Sequence, residues 1–338
     1  MKILITGGAG FIGINSAKRF IDEGHEVIIF DDLSRDGTER NLAWLKENEE
    51  FDFVQGDVKN SEQVNLFFSE HEGLDLVLHL AAQVAVTTSV EEPRNDFEVN
   101  ALGTFNICEA VRRLQPEAML LYSSTNKVYG EMTDIEVCEK GGRYEYKGLP
   151  HGISEDRSLD FHSPYGCSKG AGDQYVIDYG RIYDLKTVSF RQSCIYGPHQ
   201  FGIEDQGWVA HFTISAVMDK PITIYGDGKQ MRDVLHVDDL INCYLGAIQN
   251  IDKARGRAYN IGGGPENILF LMQLIAILGE SLGRRIEYSF ADWRPGDQKT
   301  FVCDTRRAKE DFTWAPKIGV QEGVSSLIKW VKENKELF

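Results

Sequence analysis

Met1-Lys-Ile-Leu-Ile-Thr-Gly-Gly-Ala-Gly-Phe-Ile-Gly13 passes from an apolar run through glycines into a helical pattern, and this stretch decides the fold. Residues 2–5 read as a short buried strand, and the helix that follows runs to about Glu23, where Gly24 ends it. Two glycine spacings overlap between them: GxGxxG at Gly8, Gly10 and Gly13, and GxxGxxG at Gly7, Gly10 and Gly13. A flexible surface turn also uses glycine. A turn between a strand and a helix is the context in which glycine permits a tight bend, close approach of backbone to a pyrophosphate, and packing of helix on strand.

Working outward, Glu26-Val-Ile-Ile-Phe30 is a second strand closing on Asp31-Asp32. A third unit runs through Phe51-Asp-Phe-Val54 and Gly56-Asp57-Val58 into a helix near 61–70. Residues 74–80, 118–122 and 187–191 are further runs that read as largely apolar strands. Such runs alternating with helices describe a parallel sheet covered on both faces. The expected fold is therefore α/β, a doubly wound (Rossmann) sheet. Beyond about residue 192 short strands (222–225, 285–290) mix with helices, and 268–278 reads as a core helix. The expected division is a nucleotide-binding part, 1–191, and a smaller C-terminal α/β ligand-binding part, 192–338. Segments near 233–262 are expected to return to the first.

The 338 residues carry a net charge of −16 with no basic run, which argues against a nucleic-acid partner. The six cysteines are scattered without a CxxC pair, and the eight histidines show no HxxH or HxxxH spacing, so reduced thiols and no metal are expected. Met1-Lys2 leads straight into the first strand without room for a signal peptide, and 268–278 is too short to span a bilayer; a cytoplasmic location is expected, with no membrane partner.

Asp31 lies 18 residues after Gly13 at the end of the second strand. A carboxylate there accepts hydrogen bonds from both adenosine ribose hydroxyls and repels a 2′-phosphate, which selects NAD over NADP; Arg35 nearby is the residue that could accommodate such a phosphate. Asp57 either bonds the adenine amino group or is a solvated carboxylate at a strand end. Tyr165-Gly-Cys-Ser-Lys169 places a phenol and an ammonium on one helix face, where the ammonium is expected to lower the phenol's pKa toward neutrality. Elsewhere such a string is a packed tyrosine and a solvated lysine. Thr125, in Tyr122-Ser-Ser-Thr-Asn-Lys-Val-Tyr-Gly130, follows an apolar strand where open α/β sheets place their sites, and its hydroxyl can both donate and accept. The same run also suits a turn.

These motifs resemble the extended short-chain dehydrogenase/reductase superfamily over nearly the whole chain. The resemblance implies a catalytic triad of Thr125, Tyr165 and Lys169. It implies an NAD site built from Gly7, Gly10, Phe11, Ile12 and Gly13 at the turn, from Asp31, Asp32, Ser34 and Arg35 after the second strand, and from Asp57 and Val58 after the third. Leu80, Ala81, Ala82, Gln83, Asn100 and Ser123 complete it. Arg232 in Gly228-Lys-Gln-Met-Arg-Asp-Val-Leu-His236 and Arg294 in Trp293-Arg-Pro-Gly-Asp297 resemble arginines that clamp a sugar-nucleotide diphosphate, although either could be a surface ion-pair residue. Asn126, Gln192, Gln206 and Val209 are further implied substrate contacts, with Tyr225 placed to stack on the base. Residues 123–130, 160–169, 205–209 and 228–236 are similar to the CDP-tyvelose (CDP-paratose) 2-epimerase family within it. That implies inversion of C2 of a CDP-hexose (CDP-paratose to CDP-tyvelose, or CDP-glucose to CDP-mannose) through a 2-keto intermediate. It also implies a homodimer or homotetramer using helices near 98–114 and 165–184. A UDP-sugar 4-epimerase uses the same groups on another carbon and is the alternative, and a non-catalytic dinucleotide-binding sensor or scaffold is a remoter one. Nucleotide-sugar 4,6-dehydratases resemble Thr-Asp-Glu where this chain has Thr125-Asn-Lys127. The 34 residues between Gly130 and Tyr165 form a polar insert longer than in 4-epimerases, expected to shape the sugar pocket.

Overall fold

A computed structural model of the chain describes residues 1–293 and 298–338. The first half lays down β1 (Lys2–Thr6), α1 (Phe11–Asp22), β2 (Glu26–Asp31), α2 (Thr38–Asn48), β3 (Asp52–Gln55), α3 (Ser61–Glu70) and β4 (Leu76–His79). Two short helices, α4 (Val86–Glu91) and α5 (Pro93–Phe97), lead through a π-helical turn, Glu98–Leu102, into α6 (Gly103–Leu114) and β5 (Met119–Thr125). A hairpin, β6 (Val137–Lys140) and β7 (Arg143–Tyr146), precedes the long α7 (Ser163–Tyr183) and β8 (Thr187–Gln192).

The remainder comprises β9 (Cys194–Tyr196), α8 (Trp208–Val217), β10 (Ile222–Tyr225), β11 (Met231–His236), α9 (Val237–Gln249), α10 (Ile251–Ala254) and β12 (Arg257–Ile261). Then come β13 (Ile268–Phe270), α11 (Leu271–Leu282), β14 (Tyr288–Ala291), β15 (Thr300–Phe301), α12 (Arg306–Phe312) and α13 (Val320–Glu333).

Seven strands form one parallel sheet in the order β12-β8-β5-β4-β1-β2-β3. The order reverses between β1 and β4, and the carboxyl ends of the strands there open the crevice where such sheets bind ligands. The alternation of β1 shows why the runs are apolar without a break. Ile3 and Ile5 join a core with α1, α2 and α9, whereas Leu4 joins the opposite core with α3, α6 and α7. Burying each such side chain contributes about 1.5–3 kcal/mol. β12, although late in the chain, completes this sheet beside β8.

A second core gathers α8, α11 and α13 around β10, with a smaller sheet of β13, β11, β15 and β9 beside it. The segment 268–278 is not one helix. Ile268–Phe270 pairs antiparallel with β11, and the helix begins only at Leu271. Sheet partners far away in sequence claim the first three residues. The strand expected over 285–290 lies at Tyr288–Ala291, paired with β10. The polar insert folds as a hairpin because Gly141 and Gly142 both adopt positive φ, the requirement of a tight two-residue turn. It docks on the C-terminal part: Tyr144 Oη donates to Asp227 (2.6 Å), Tyr146 Oη to the Thr300 carbonyl (3.0 Å), and Lys229 pairs with Glu139 (2.9 Å).

No described helix is long and apolar enough to cross a membrane, no group of metal ligands occurs among the described residues, and all six cysteines are free thiols.

Candidate active site

The glycine turn packs as tightly as its sequence requires. Gly7 has φ +68°, and a Cβ there would lie 2.6 Å from the Ala81 nitrogen; one on Gly13 would lie 2.4 Å from the Gly7 carbonyl. Gly10 faces open space, where a Cβ would meet only the Gly7 carbonyl, at 3.2 Å. That space lies before the first turn of α1, with Phe11 and Ile12 half-buried at its start. The crowding holds the turn closed, and the open side at Gly10 suits an anion.

Asp31 ends β2, 7% exposed, and accepts from the Ala9 nitrogen (3.0 Å) and the Leu33 nitrogen (2.8 Å). Burial pushes its carboxyl above the usual range, and the two backbone bonds oppose this. Each oxygen keeps a lone pair for a diol. Asp32 is turned instead to its own loop, accepting from Ser34 N (3.0 Å) and Ser34 Oγ (2.7 Å). Arg35 reaches away from Asp31 and donates to Gln206 Oε1. Its guanidinium is therefore committed to Gln206 rather than to the Asp31 carboxylate. Asp57 is half-buried and held by Lys59, from N (2.9 Å) and by an ion pair (3.4 Å). The Val58 side chain is buried and its carbonyl accepts from Asn106.

At the end of β4, Leu80 N bonds the Thr6 carbonyl (3.0 Å) and Ala81 N the Thr6 hydroxyl (3.4 Å). Ala82 follows, half-buried, and Gln83 N donates to Asn100 Oδ1 (3.0 Å). Asn100 stands in the π-helical turn, the kind of local widening that re-aims a side chain.

Thr125 is the last residue of β5, buried, and its hydroxyl accepts from Lys127 N (3.2 Å), capping the 3₁₀ turn Asn126–Tyr129. Tyr165 and Lys169 occupy successive turns of α7, 8% and 3% exposed. The Lys169 ammonium donates to the Ser123 carbonyl and lies 4.4 Å above the Tyr122 ring. The expectation that Lys169 lowers the phenol is not met among the protein's own groups. Burial pushes Tyr165 up to about 12, opposed by a hydrogen bond with Thr125 and by the charge of Arg35. Burial brings Lys169 down to about 7, opposed by Asp173 and Asp96. Both groups have lost water, and dehydrating each charged form outweighs what neighbours return.

α7 is anchored from below. Asp173 pairs with Arg191 on β8 (2.8 Å) and accepts from Ser189 Oγ (2.5 Å), while Arg191 also donates to Tyr129 Oη (3.1 Å). Tyr129 in turn donates to Asn260 on β12 (2.7 Å). α7, and with it Tyr165 and Lys169, thus rests on a buried polar network spanning helix, sheet and turn.

The implied substrate contacts divide. Arg232, on β11, points to the main chain at Met231 (2.8 Å) and Gln298 (2.6 Å). Half-buried Tyr225 ends β10 beside Trp293, which packs over Gly226. Asn126 begins the turn after Thr125, and Gln206 is held by Arg35. Two do not present their side chains. Gln192, beside Thr125 in the sheet, turns its amide N–H₂ to Tyr244 Oη (2.6 Å), and Val209 is buried in the second core. A sheet alternates its side chains, and α8 needs its apolar face for packing. Arg294 lies outside the described residues. Missed altogether were Ser89, Ser168 and Asp96, buried polar residues around the start of α7. Only Ser168 had a signal, its place inside the Tyr-Lys string.

The glycine cradle, the desolvated Asp31, and Ser124, whose buried hydroxyl has no partner among the described residues, fit a dinucleotide. A phenol, an ammonium and a hydroxyl converging on that crevice can remove a proton from a carbinol and steady the resulting ketone.

Residues 3–262 match the profile of the NAD dependent epimerase/dehydratase family. The chain is 44% identical over 335 residues to the CDP-paratose 2-epimerase of Salmonella typhi, covering 98% of this chain and 99% of that one. It is 31% identical to a putative UDP-glucose 4-epimerase of Methanocaldococcus jannaschii, over 98% of this chain and 99% of that one. Among solved structures, the Thermus thermophilus UDP-glucose 4-epimerase in complex with NAD superposes with a TM-score of 0.83 at 31% identity, covering 99% of this chain and 100% of that one.

Proposed function

The chain belongs to the NAD-dependent epimerase/dehydratase family, and from that premise we propose that it is an NAD-dependent nucleotide-sugar epimerase that inverts C2 of a CDP-hexose. The observation that carries the regiochemistry is the 44% identity, end to end, to a CDP-paratose 2-epimerase. The site agrees with it. Thr125 is followed by Asn126 and Lys127, so neither neighbour supplies the carboxylate pair that eliminating water requires.

In this reading NAD is held by the glycine turn and Asp31, and supplies the two-electron exchange at the sugar carbon. Tyr165, as phenolate, takes the proton from the C2 hydroxyl. Lys169 balances that phenolate electrostatically, and Thr125 holds the oxygen as alcohol and then as ketone. The 2-keto sugar turns its other face before Tyr165 returns the proton, so C3, C4 and C5 are untouched. Residues 1–191, with β12 and its flanks, serve the cofactor, and 192–338 the nucleotide sugar through Arg232, Tyr225 and Arg294. A second copy of the chain covers Phe97, Leu102, Tyr175, Ile182 and Tyr183, large apolar side chains left exposed on α5, the π turn and α7, giving a homodimer or a homotetramer.

A panel of CDP- and UDP-sugars with products identified by NMR tests the proposal. Inversion at C2 of CDP-paratose or CDP-glucose is expected. Inversion at C4 with C2 intact overturns it in favour of the 4-epimerase reading.

A further inference from the structure

Asp96 is wholly buried and takes no part in the chemistry just described. It sits on α5, one turn before the π-helical residues. One carboxylate oxygen accepts from Ser168 Oγ, between Tyr165 and Lys169 on α7. The other accepts from Asn100 Nδ2 (3.1 Å) and Gln83 Nε2 (3.2 Å). Asn100 Nδ2 also lies 3.2 Å from Ser168 Oγ, and Ser168 Oγ lies 3.2 Å from the Tyr165 carbonyl. Ser89, from α4, accepts from the Tyr165 nitrogen (3.2 Å). The α4–α5–π segment therefore grips the first turns of α7, with Asp96 at its centre.

A neutral amide could accept from Asn100 and Gln83 through its oxygen and donate to Ser168 Oγ, once that hydroxyl turned to accept. A dehydrated carboxylate there lowers the stability of the fold unless its charge is used. The cation whose charge acts on Asp96 is Lys169. The groups around the pair are few. Lys169 feels Asp173 on its own helix and faces the Tyr122 ring on β5 and His79 on β4. His79 is held between the Thr6 and Thr104 hydroxyls and is pushed down to about 3, so it stays neutral. Tyr165 feels Asp96, Arg35 from the loop after β2, and Thr125 on β5.

We propose that Asp96 is a positioning residue of the reaction, which orients Tyr165 and Lys169 through Ser168 and Asn100 and supplies the negative charge that keeps the Lys169 ammonium in place while the phenol gives and takes its proton. The inference rests on the triad reading above. Asp96 raises the Lys169 ammonium's hold on its proton and also raises Tyr165. Removing its charge therefore lets both groups lose their protons at lower pH. The active form needs phenolate and ammonium together, so both limbs of the rate profile then shift in the same direction.

Asp96→Asn keeps the shape: its carbonyl can accept from Asn100 and Gln83, and its N–H₂ can donate to Ser168, whose hydroxyl accepts. The test is kcat/KM against pH for both proteins on CDP-paratose, or on whichever nucleotide sugar the panel shows to be turned over, with folding checked by thermal melting. Both limbs should move down by roughly one pH unit, as expected for a nearby charge. At a given pH the variant is then about tenfold faster than the parent on the acid limb and about tenfold slower on the alkaline limb. A fall in rate at every pH with both limbs in place overturns the proposal and leaves Asp96 a structural residue. If Asp96→Asn does not fold, Asp96→Ser carries the same two-limb readout. Product identity, recorded in the same runs, keeps the questions apart. Inversion at another carbon refutes the C2 assignment, whereas unmoved limbs refute the role of Asp96.

Discussion

Replacing Asp31 by alanine tests the cofactor assignment most directly. The wild-type carboxylate is buried, receives the Ala9 and Leu33 N–H groups at 3.0 and 2.8 Å, and has acceptor capacity left for the two ribose hydroxyls. Hydrogen bonds to a charged group contribute about 1.5–3 kcal/mol each. Losing two at the lower end costs about 3 kcal/mol, or roughly two powers of ten in affinity. Asp31→Ala should thus bind NAD about a hundredfold more weakly. NADP affinity should fall much less or rise, because the charge that repels its 2′-phosphate is gone. Calorimetric titration of cofactor-stripped protein with NAD and NADP reads both. The pH dependence has a defined sign: burial raises the Asp31 carboxyl, so NAD affinity is full above that raised pKa and declines as pH falls through it. An Asp31→Ala protein with unchanged NAD affinity, or a wild-type protein that copurifies with NADP, refutes the reasoning.

Tyr165→Phe should reduce turnover by about 10²–10⁴-fold or more with NAD still bound, and Thr125→Val should be milder, because it removes positioning but leaves the base; near-normal turnover of Tyr165→Phe in a steady-state assay would remove the phenol from the mechanism. Deuterium placed at C2 of the sugar should remain there in the product, and turnover in D₂O should leave C2 unlabelled; solvent deuterium at C2 by NMR would mean deprotonation at carbon instead. A CDP-2-deoxy sugar should bind without reacting, as calorimetry and product analysis will show. Arg191→Met leaves the Asp173 carboxylate buried and unpaired beneath α7, and should cost about 3–5 kcal/mol in denaturant unfolding; a loss below 1 kcal/mol would mean that α7 does not depend on that pair.

The glycine turn and the parallel strands around it were legible because their signals are local. Apolar runs and the glycine turn are set by adjacent residues, and Gly7 and Gly13 are required by close backbone packing that any folded copy of this turn reproduces. The four-residue step from Tyr165 to Lys169 places both on one helix face whatever surrounds it. What surrounds it came only with tertiary structure. Asp96 meets Ser168 across 72 residues and Arg35 meets Gln206 across 171, and a charged residue in a helix gives no local sign that it will be buried. Gln192 and Val209 have side chains suited to a ligand or a core, and the sheet and α8 turned both inward. The proton affinities of Tyr165 and Lys169 were settled the same way. Spacing puts an ammonium near a phenol, but the water removed by packing α7 against the sheet drives the two apart, to about 12 and about 7, because solvation is a property of the whole fold.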